Sequence, residues 1–145
     1  IVQVWNAMKG LKISSYRGHE GWVRAVAWSP DGKLIASAGE DKIVQVWEVA
    51  KGRQIVTYRG HADWIGMITW SPDGKRIASA SKDNIVQVWD TEHPAVMSSA
   101  RPQPQGNVQT FRAHSDSVYA VAWLPDGKHI ASASGDGSVQ VWQVV

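Results

Sequence analysis

The sequence predicts an all-β fold built from one repeated unit, and three observations carry the prediction. The tetrapeptide Val-Gln-Val-Trp occurs four times, ending at Trp5, Trp47, Trp89 and Trp142, at intervals of 42, 42 and 53 residues. A repeat of about 20–50 residues is typical of solenoids and propellers. The turn sequence Pro-Asp-Gly recurs at 30–32, 72–74 and 125–127. Together with further turns around Asp residues, it interrupts the chain so often that no uninterrupted stretch is long enough for a helix.

Each unit contains four short apolar segments, which we call positions a, b, c and d. Position a ends at Trp28, Trp70 and Trp123, and position b holds Ile-Ala-Ser-Ala at 35–38, 77–80 and 130–133. Position c is the Val-Gln-Val-Trp run, and position d covers 54–59 and 108–112. The segments are rich in β-branched and aromatic residues and are bounded by turn residues, as strands are. A four-stranded antiparallel sheet repeated radially is the blade of a β-propeller.

The repeat divides the chain into four segments. Residues 1–18 hold positions c and d of an incomplete blade, 19–60 and 61–113 are two full blades, and 114–145 hold positions a, b and c of a last blade. This makes about three blades per chain, whereas propellers typically have about 4–8. We therefore expect the ring to be completed by other copies, as a dimer or trimer, or by a missing part of a longer chain.

The unit resembles the repeat of WD-repeat propellers. The resemblance rests on an opening His, the Pro-Asp-Gly turn and the Trp that ends position c, and it covers almost the whole chain. The dipeptide that names the family is literal only at Trp89-Asp90. The near-identical units are similar to those of highly repetitive bacterial WD-repeat proteins. The resemblance implies a non-catalytic scaffold for protein or peptide partners, either as a sensor or docking part of a larger bacterial protein or as a self-assembling partial propeller.

A His, a Ser and an Asp recur at fixed offsets in three units, and these are the residue types of a nucleophilic site. The resemblance implies instead a buried chain of hydrogen bonds that includes the Trp of position c. Three copies in one chain also fit a scaffold better than a catalytic centre, so no catalytic residue is assigned. The expected networks are His19–Ser37–Asp41–Trp47, His61–Ser79–Asp83–Trp89 and His114–Ser132–Asp136–Trp142.

Residues that differ between units are candidates for recognising a partner. Three and five residues after each opening His lie Trp22 and Arg24, Trp64 and Gly66, and Ser117 and Tyr119. The resemblance places these residues on the rim of the central opening, where the family commonly holds peptides. Trp and Arg dominate binding hot spots, and they also suit a base or a cation. The alternative is that Trp22 and Trp64 pack on neighbouring blades.

An insertion at 91–106 separates positions c and d of the second full blade. It contains Pro94, Pro102 and Pro104, which favours an extended or mobile excursion over a packed element. A surface loop that tolerates extra length is the favoured interpretation, and a docking arm is the alternative.

Composition narrows the functional classes further. The chain has no Cys and no long apolar run, so disulfides, thiolate metal sites and membrane spans are not expected, and a cytoplasmic location is. No cofactor or metal is indicated, because three of the five His belong to the networks and the Gly residues lie in turns. Two alternatives remain. One is a nucleic-acid-binding propeller that uses Arg24, Lys42 and Lys82; the other is a propeller enzyme with acids in the channel.

Overall fold

The computed structural model describes residues 1–91 and 108–145, and those residues form antiparallel sheets. The first sheet pairs β1 with β2, and the second contains β3 to β6 in chain order. The bounds of these strands are β1 Val2–Asn6, β2 Leu11–Tyr16, β3 Val23–Trp28, β4 Leu34–Gly39, β5 Ile43–Glu48 and β6 Arg53–Arg59. Each strand pairs with the next along the chain, so the sheets are simple meanders.

The third sheet contains β7 to β10 and the last contains β11 to β13. Their bounds are β7 Ile65–Trp70, β8 Arg76–Ser81, β9 Val86–Asp90, β10 Gln109–Phe111, β11 Val118–Trp123, β12 His129–Ser134 and β13 Val139–Gln143. No helix occurs in the ranges that the structure describes, which confirms the all-β prediction. The sheets match whole or partial propeller blades, and the described residues do not close a ring.

The turn between positions a and b is built by the Pro-Asp-Gly sequence. The Asp31 carboxylate accepts a hydrogen bond from Ser29 Oγ at 2.6 Å and from the Lys33 N–H at 3.0 Å. Gly32 has φ +72°, a conformation that side chains disfavour,. The third sheet repeats this arrangement with Ser71 and Asp73. The turn therefore fixes the offset between strands a and b before any packing between sheets is considered.

The core lies between the sheets, where side chains of positions b and c of one sheet cluster with side chains of positions a and b of the next. Val44 and Val46 of β5 are buried together with Ile68 and Trp70 of β7 in one cluster. The same contact recurs one sheet further on, between the β9 valines and β11. Alternating residues of a strand point to the same face, so the spacing Val-Gln-Val supplies two apolar side chains to each interface.

Indole hydrogen bonds link the same neighbouring sheets. Trp70 Nε1 donates to the carbonyl of Ala27 at 3.1 Å, and Trp123 Nε1 donates to the carbonyl of Thr69 at 3.3 Å. Aromatic pairs add a contact between position d of one sheet and position c of the next. They are Tyr16–Trp47, Tyr58–Trp89 and Phe111–Trp142, with ring centroids 5.1, 5.1 and 5.2 Å apart. Each junction between sheets is therefore both apolar and directional.

The residue after the recurring turn Asp adopts the left-handed conformation in three units. Lys42 has φ 66°, Asn84 has φ 71° and Gly137 has φ 82°. A side chain such as Lys is strained there by about 1–2 kcal/mol, whereas Gly is not.

Exchanging these residues is expected to shift stability in opposite directions. Lys42→Gly should raise the free energy of unfolding by up to about 1 kcal/mol, because relief of strain exceeds the added chain entropy. Gly137→Lys at the matching position should lower it by a similar amount. Chemical denaturation of both variants measures the effect, and a loss of stability in Lys42→Gly would contradict the explanation.

Candidate partner-binding rim

The second full blade contains a complete chain of side-chain hydrogen bonds. His61 Nδ1 lies 2.8 Å from Asp83 Oδ2, and its Nε2 lies 2.7 Å from Ser79 Oγ. Trp89 Nε1 donates to the same Ser79 oxygen at 2.8 Å. The Asp carboxylate also accepts the Ala62 N–H at 2.9 Å. These contacts join the loop before β7, the strand β8, the turn after it and the strand β9.

The last sheet repeats this arrangement. His114 lies 2.9 Å from Asp136 Oδ2 and 2.8 Å from Ser132 Oγ, and Trp142 Nε1 donates to Ser132 at 2.8 Å. The turn adds a contact of its own, because Ser138 Oγ donates to Asp136 Oδ1 at 2.6 Å. The structure thus brings together all four side chains that the sequence groups in each of these two units.

The first full blade lacks the last link of its expected network. His19 lies 2.8 Å from both Asp41 and Ser37, but among the described residues the buried Nε1 of Trp47 has no hydrogen-bond partner. The expectation that Trp47 donates to Ser37 is therefore wrong. Trp47 stacks on Tyr16 with an interplanar angle of 13°, whereas the matching pairs are tilted by 43° and 50°. The stacked pair gives the Trp47 indole a different orientation.

The networks resemble a Ser-His-Asp triad in their distances but not in their access. Ser37, Ser79 and Ser132 are fully buried. In two units the Ser hydroxyl oxygen already accepts an indole N–H. A nucleophile must reach the carbon that it attacks, so these hydroxyl groups cannot act on a substrate from the solvent. This geometry favours the structural interpretation of the repeated His, Ser and Asp.

Hydrogen bonds hold the turn carboxylates in their charged form. Burial would raise the pKa of Asp83, but hydrogen bonds from His61, from Ala62 N–H and from Ile85 N–H lower that pKa below its ordinary 3.8 overall. In the last sheet, hydrogen bonds from Ser138 and from the Ser115 N–H hold the pKa of Asp136 well below its usual range. Both carboxylates are therefore more acidic in the folded chain than in the unfolded one.

The rim contains a stack of alternating aromatic and cationic groups. Arg24 Cζ lies 5.2 Å from the Trp22 ring centroid and 4.9 Å from that of Trp64. On the same indole, Lys82 Nζ lies 4.2 Å from the ring centroid. Arg24 Nε also donates to Glu40 Oε1 at 3.0 Å. A guanidinium held by two rings and a carboxylate has a fixed orientation, which favours specific recognition.

A hollow of about 310 Å³ lies beside this stack. It is lined by Arg24, Trp64, Gly66, Lys82, Val118 and Tyr119. An added Cβ at Gly66 would meet no atom within 4 Å, so the missing side chain at this position leaves the space open. The structure therefore brings four of the six predicted rim residues to one opening between the third sheet and the last.

The two remaining rim residues, Trp22 and Ser117, do not line this opening. Trp22 is 71% exposed and contacts the stack through Arg24. It precedes β3, which has no strand of position a or b of a preceding sheet beside it in the described residues. Trp64 is only partly exposed, which agrees with both interpretations. The backbone N–H of Ser117 donates to Asp116 Oδ1 at 2.6 Å, and its carbonyl accepts from Gly135 N–H.

Sequence analysis missed Val118 and Glu40 as members of this site, and it named Lys82 only for the nucleic-acid alternative. Lys82 and Glu40 occupy matching positions, each directly before the turn Asp, and Gly135 stands there in the last unit. The signal that could have found them is variation at a third position in each unit, besides the two after the His. Val118 gave no such signal, because it reads as an ordinary strand residue.

The insertion, a metal site and a membrane span are the remaining features that the sequence analysis addressed. The insertion at 91–106, with its three Pro, lies outside the described residues apart from Thr91, whose Oγ1 donates to the Gly74 carbonyl at 3.1 Å. In the parts of the chain that the structure describes, no cluster of three or more His, Asp or Glu side chains could hold a metal ion. No helix there has the length and hydrophobicity that a membrane span requires.

The repeats match a known family model along most of the chain. The model described as "WD domain, G-beta repeat" matches residues 10–48, 52–90 and 105–143. The chain belongs to the WD-repeat family. The first two matched spans each run from a strand at position d to the following strand at position c. The matched unit is therefore offset by one strand from the sheets: it begins with the last strand of one sheet and ends with the third strand of the next.

The chain is similar in sequence to parts of two longer proteins. It is 32% identical over 143 residues to the "Small ribosomal subunit protein RACK1y" of Oryza sativa subsp. japonica, an alignment that covers 99% of this chain and 41% of that protein. It is 46% identical over 33 residues to "WD repeat-containing protein 1" of Mus musculus, which is 23% of this chain and 5% of that protein. The chain spans less than half the length of both relatives.

Matched tryptophan substitutions are expected to lower the free energy of unfolding by different amounts in the complete network and in the one that lacks its indole bond. Trp89→Phe removes an indole that donates to Ser79, whereas Trp47→Phe removes a buried donor without a partner among the described residues. Both lose similar ring area, so Trp89→Phe should be the more destabilising by about 1–3 kcal/mol. Urea denaturation of the two variants tests this, and equal losses would contradict the assigned difference.

Acid is expected to destabilise the fold through the turn carboxylates. Because folding lowers the pKa of Asp83 and Asp136, the unfolded chain takes up protons first. Their contribution to stability is present above pH 3.8, the ordinary value, and is lost as the pH falls below it,. Melting temperatures between pH 7 and pH 2 should fall most steeply at the acid end. Asp83→Asn should flatten that slope, and an unchanged slope would argue against its role.

Proposed function

We propose that the chain is a non-catalytic interaction scaffold whose rim binds a peptide or protein partner. The observation that carries this proposal is the stack of Arg24 between Trp22 and Trp64 beside an open hollow. Membership of the WD-repeat family supports a scaffold role. The burial of the three Ser hydroxyl groups supports the absence of nucleophilic chemistry at the repeated residues.

The rim has the properties of a preorganised binding site. Arg24 is already fixed by two rings and by Glu40, so binding a partner requires little further loss of side-chain freedom. Trp22 and Tyr119 are 71% and 60% exposed, and both offer a large apolar surface with one polar edge. Such residues form the buried centre of many interfaces once a partner covers them.

The charges of the rim favour an acidic partner segment. Lys82 and Arg24 both line the hollow, and Glu40 neutralises Arg24 in part. A carboxylate that enters the hollow would meet two cationic groups and an aromatic wall. We therefore propose a ligand segment with an Asp or Glu close to an apolar side chain, which would pack on Tyr119.

The repeats and the open sheets carry a proposal about the context of the chain. The close similarity of the units supports a sensor or docking part of a larger bacterial protein in the cytoplasm. The open sheets support a propeller that is completed by other copies, as a dimer or trimer, or by further parts of a longer chain. The rice relative is described as a small ribosomal subunit protein, and stacked indole and guanidinium groups also suit a base, so nucleic acid is the second candidate ligand.

A peptide selection tests the rim. A random peptide library is selected against the 145-residue chain, and the affinity of enriched peptides is measured by fluorescence anisotropy. We expect acidic residues to be enriched, and Arg24→Ala or Tyr119→Ala to weaken binding at least tenfold, as hot-spot residues do. The control is Trp5→Ala, an exposed Trp of β1 that does not line the hollow. Equal binding by all variants would exclude the rim.

The nucleic-acid alternative is tested in the same assay with a single-stranded oligonucleotide. Binding through phosphates should weaken steeply as salt rises. Tight, salt-dependent binding of the oligonucleotide together with failure of every selected peptide would favour that alternative over a peptide partner.

A further inference from the structure

Matching residues of position c are buried in the inner sheets and exposed in the last one. Val44 and Val46 of β5 are buried, and so are Val86 and Val88 of β9. The corresponding residues of β13, Val139 and Val141, are 70% and 67% exposed. The local sequence is the same Val-Gln-Val-Trp each time. The difference therefore comes from the neighbouring sheet, which covers β5 and β9 but is missing beside β13 in the described part of the chain.

Position a shows the reverse pattern at the other end of the array. Ile68 and Trp70 of β7 are buried against the second sheet. The matching residues of β3, Val26 and Trp28, are 57% and 51% exposed. The first sheet supplies only β1 and β2 to this junction, so β3 has no strand of position a or b beside it in the described residues.

These two exposed surfaces are the unpaired halves of one interface. Inside the chain, side chains of position a pack on the Ala and Val residues of positions b and c of the preceding sheet. The last sheet offers the same residue types, which are Ala131, Ala133, Val139 and Val141. An apolar hollow of about 200 Å³ lies at this surface, and its lining includes Ala122, Ala131, Ala133 and Val139.

We propose that the last sheet of one copy packs on β3 of a second copy, so that two copies join head to tail. Val26 of the second copy then contacts Ala131, Ala133 and the β13 valines, as Ile68 contacts their counterparts within the chain. Trp28 Nε1 donates to the Ala122 carbonyl of the first copy, which corresponds to the bonds from Trp70 to Ala27 and from Trp123 to Thr69. The inference rests on the proposal that other copies complete the ring, and the residues it joins are not among those that line the rim hollow.

The two copies bring two strands for one position at this junction, so one of these strands must be displaced. The last sheet brings positions a, b and c, while the second copy already holds β1 at position c beside β2. Two strands cannot occupy one position. Because β1 and β13 share the sequence Val-Gln-Val-Trp, either can pair with β2 in the observed register, in which the first Val of the run lies opposite Tyr16.

The contacts of the two strands indicate that β1 is the one displaced. β13 carries Trp142, which donates to Ser132, and it is followed by the buried Val144. In β1 the matching Trp5 is exposed, and Ala7 stands in place of Val144. If β13 replaces β1, Val139 and Val141 fill the positions of Val2 and Val4, and no other buried side chain of β1 is lost.

The resulting assembly closes at a plausible size. Twelve of the thirteen strands in the described part of each copy take part, so two copies make six blades of four strands. Six lies within the range of about four to eight blades that propellers use. A head-to-tail contact forms a ring when its rotation closes, and both junctions of this dimer are the same.

Light scattering after size-exclusion chromatography measures the assembly of the 145-residue chain directly. We expect a species of twice the 15.9 kDa of one chain. A monomer at every concentration, a trimer or an open-ended series of sizes would each overturn the proposal.

Charged substitutions on the two surfaces give the sharper test. Val139→Glu with Val141→Glu should make the chain monomeric, and Val26→Glu should do the same. These residues are exposed in a single copy, so its melting temperature should change little. Met8→Glu changes an exposed apolar residue in the turn after β1, and it should leave the dimer intact. A dimer that survives both surface changes would refute the interface.

Mixing the two monomeric variants excludes a folding defect. The Val26→Glu copy keeps an intact last sheet, and the copy with both Glu residues in β13 keeps an intact β3 surface. An equimolar mixture should therefore form a two-chain species that neither variant forms alone, and its absence would count against head-to-tail pairing. Binding of a rim peptide by the monomeric variants is a separate readout, so failure of the rim and failure of the junction can be told apart.

The displaced strand is identified by weakening β1. Val2→Ala with Val4→Ala reduces the packing that β1 must lose, so the dissociation constant of the dimer should fall at least tenfold. A weaker dimer would show instead that β1 stays and β13 leaves, which would overturn the assignment of the displaced strand.

Discussion

Packing of positions b and c against the next sheet is the contact on which the described structure depends. Each sheet is a meander that cannot bury both of its faces alone, because alternate side chains of every strand point outward. The Val-Gln-Val spacing places two valines on the face that meets the next sheet. An indole bond and an aromatic pair then set its orientation. Stability is therefore a property of the junctions between sheets more than of any single sheet.

This dependence on junctions explains why recognition residues lie where they do. Residues that serve a junction or a turn must recur in each unit, since each junction is built in the same way. Positions on the rim, such as those of Arg24 and Lys82, serve no junction or turn, so the residue there can differ from unit to unit. Because they sit on rigid strand ends and turns, variation there changes the chemistry of the rim without changing the fold. The networks of His61 and His114 add to that rigidity by joining the loops beneath the rim.

Most of the fold could be predicted from the sequence because the signals repeat. Pro-Asp-Gly and Val-Gln-Val-Trp fix turns and strands locally, and the observed strands follow them. The predicted hydrogen bond from Trp47 to Ser37 failed for a different reason. The orientation of the Trp47 indole depends on Tyr16, which lies on another sheet, and the angle between two stacked rings cannot be predicted from the sequence. Lys82 was named only as a basic residue for the nucleic-acid alternative, and its contact with the rim was missed for a related reason. Its contact with Trp64 joins two loops of one sheet, and a lone Lys before a turn Asp looks like any solvated residue.

Repetition also makes the ends of the array informative. In a chain with unrelated domains, an exposed Val or Trp says little, since apolar atoms cover much of any protein surface. Here Val139, Val141 and Trp28 have counterparts of the same type in the same strand position, and these are buried elsewhere in the chain. The comparison removes sequence and local conformation as causes and leaves only the neighbouring sheet. The exposure of Val139 and Trp28 therefore reflects the sheet that each lacks beside it in the described residues, and the chain's own repeated residues show what chemistry such a sheet presents.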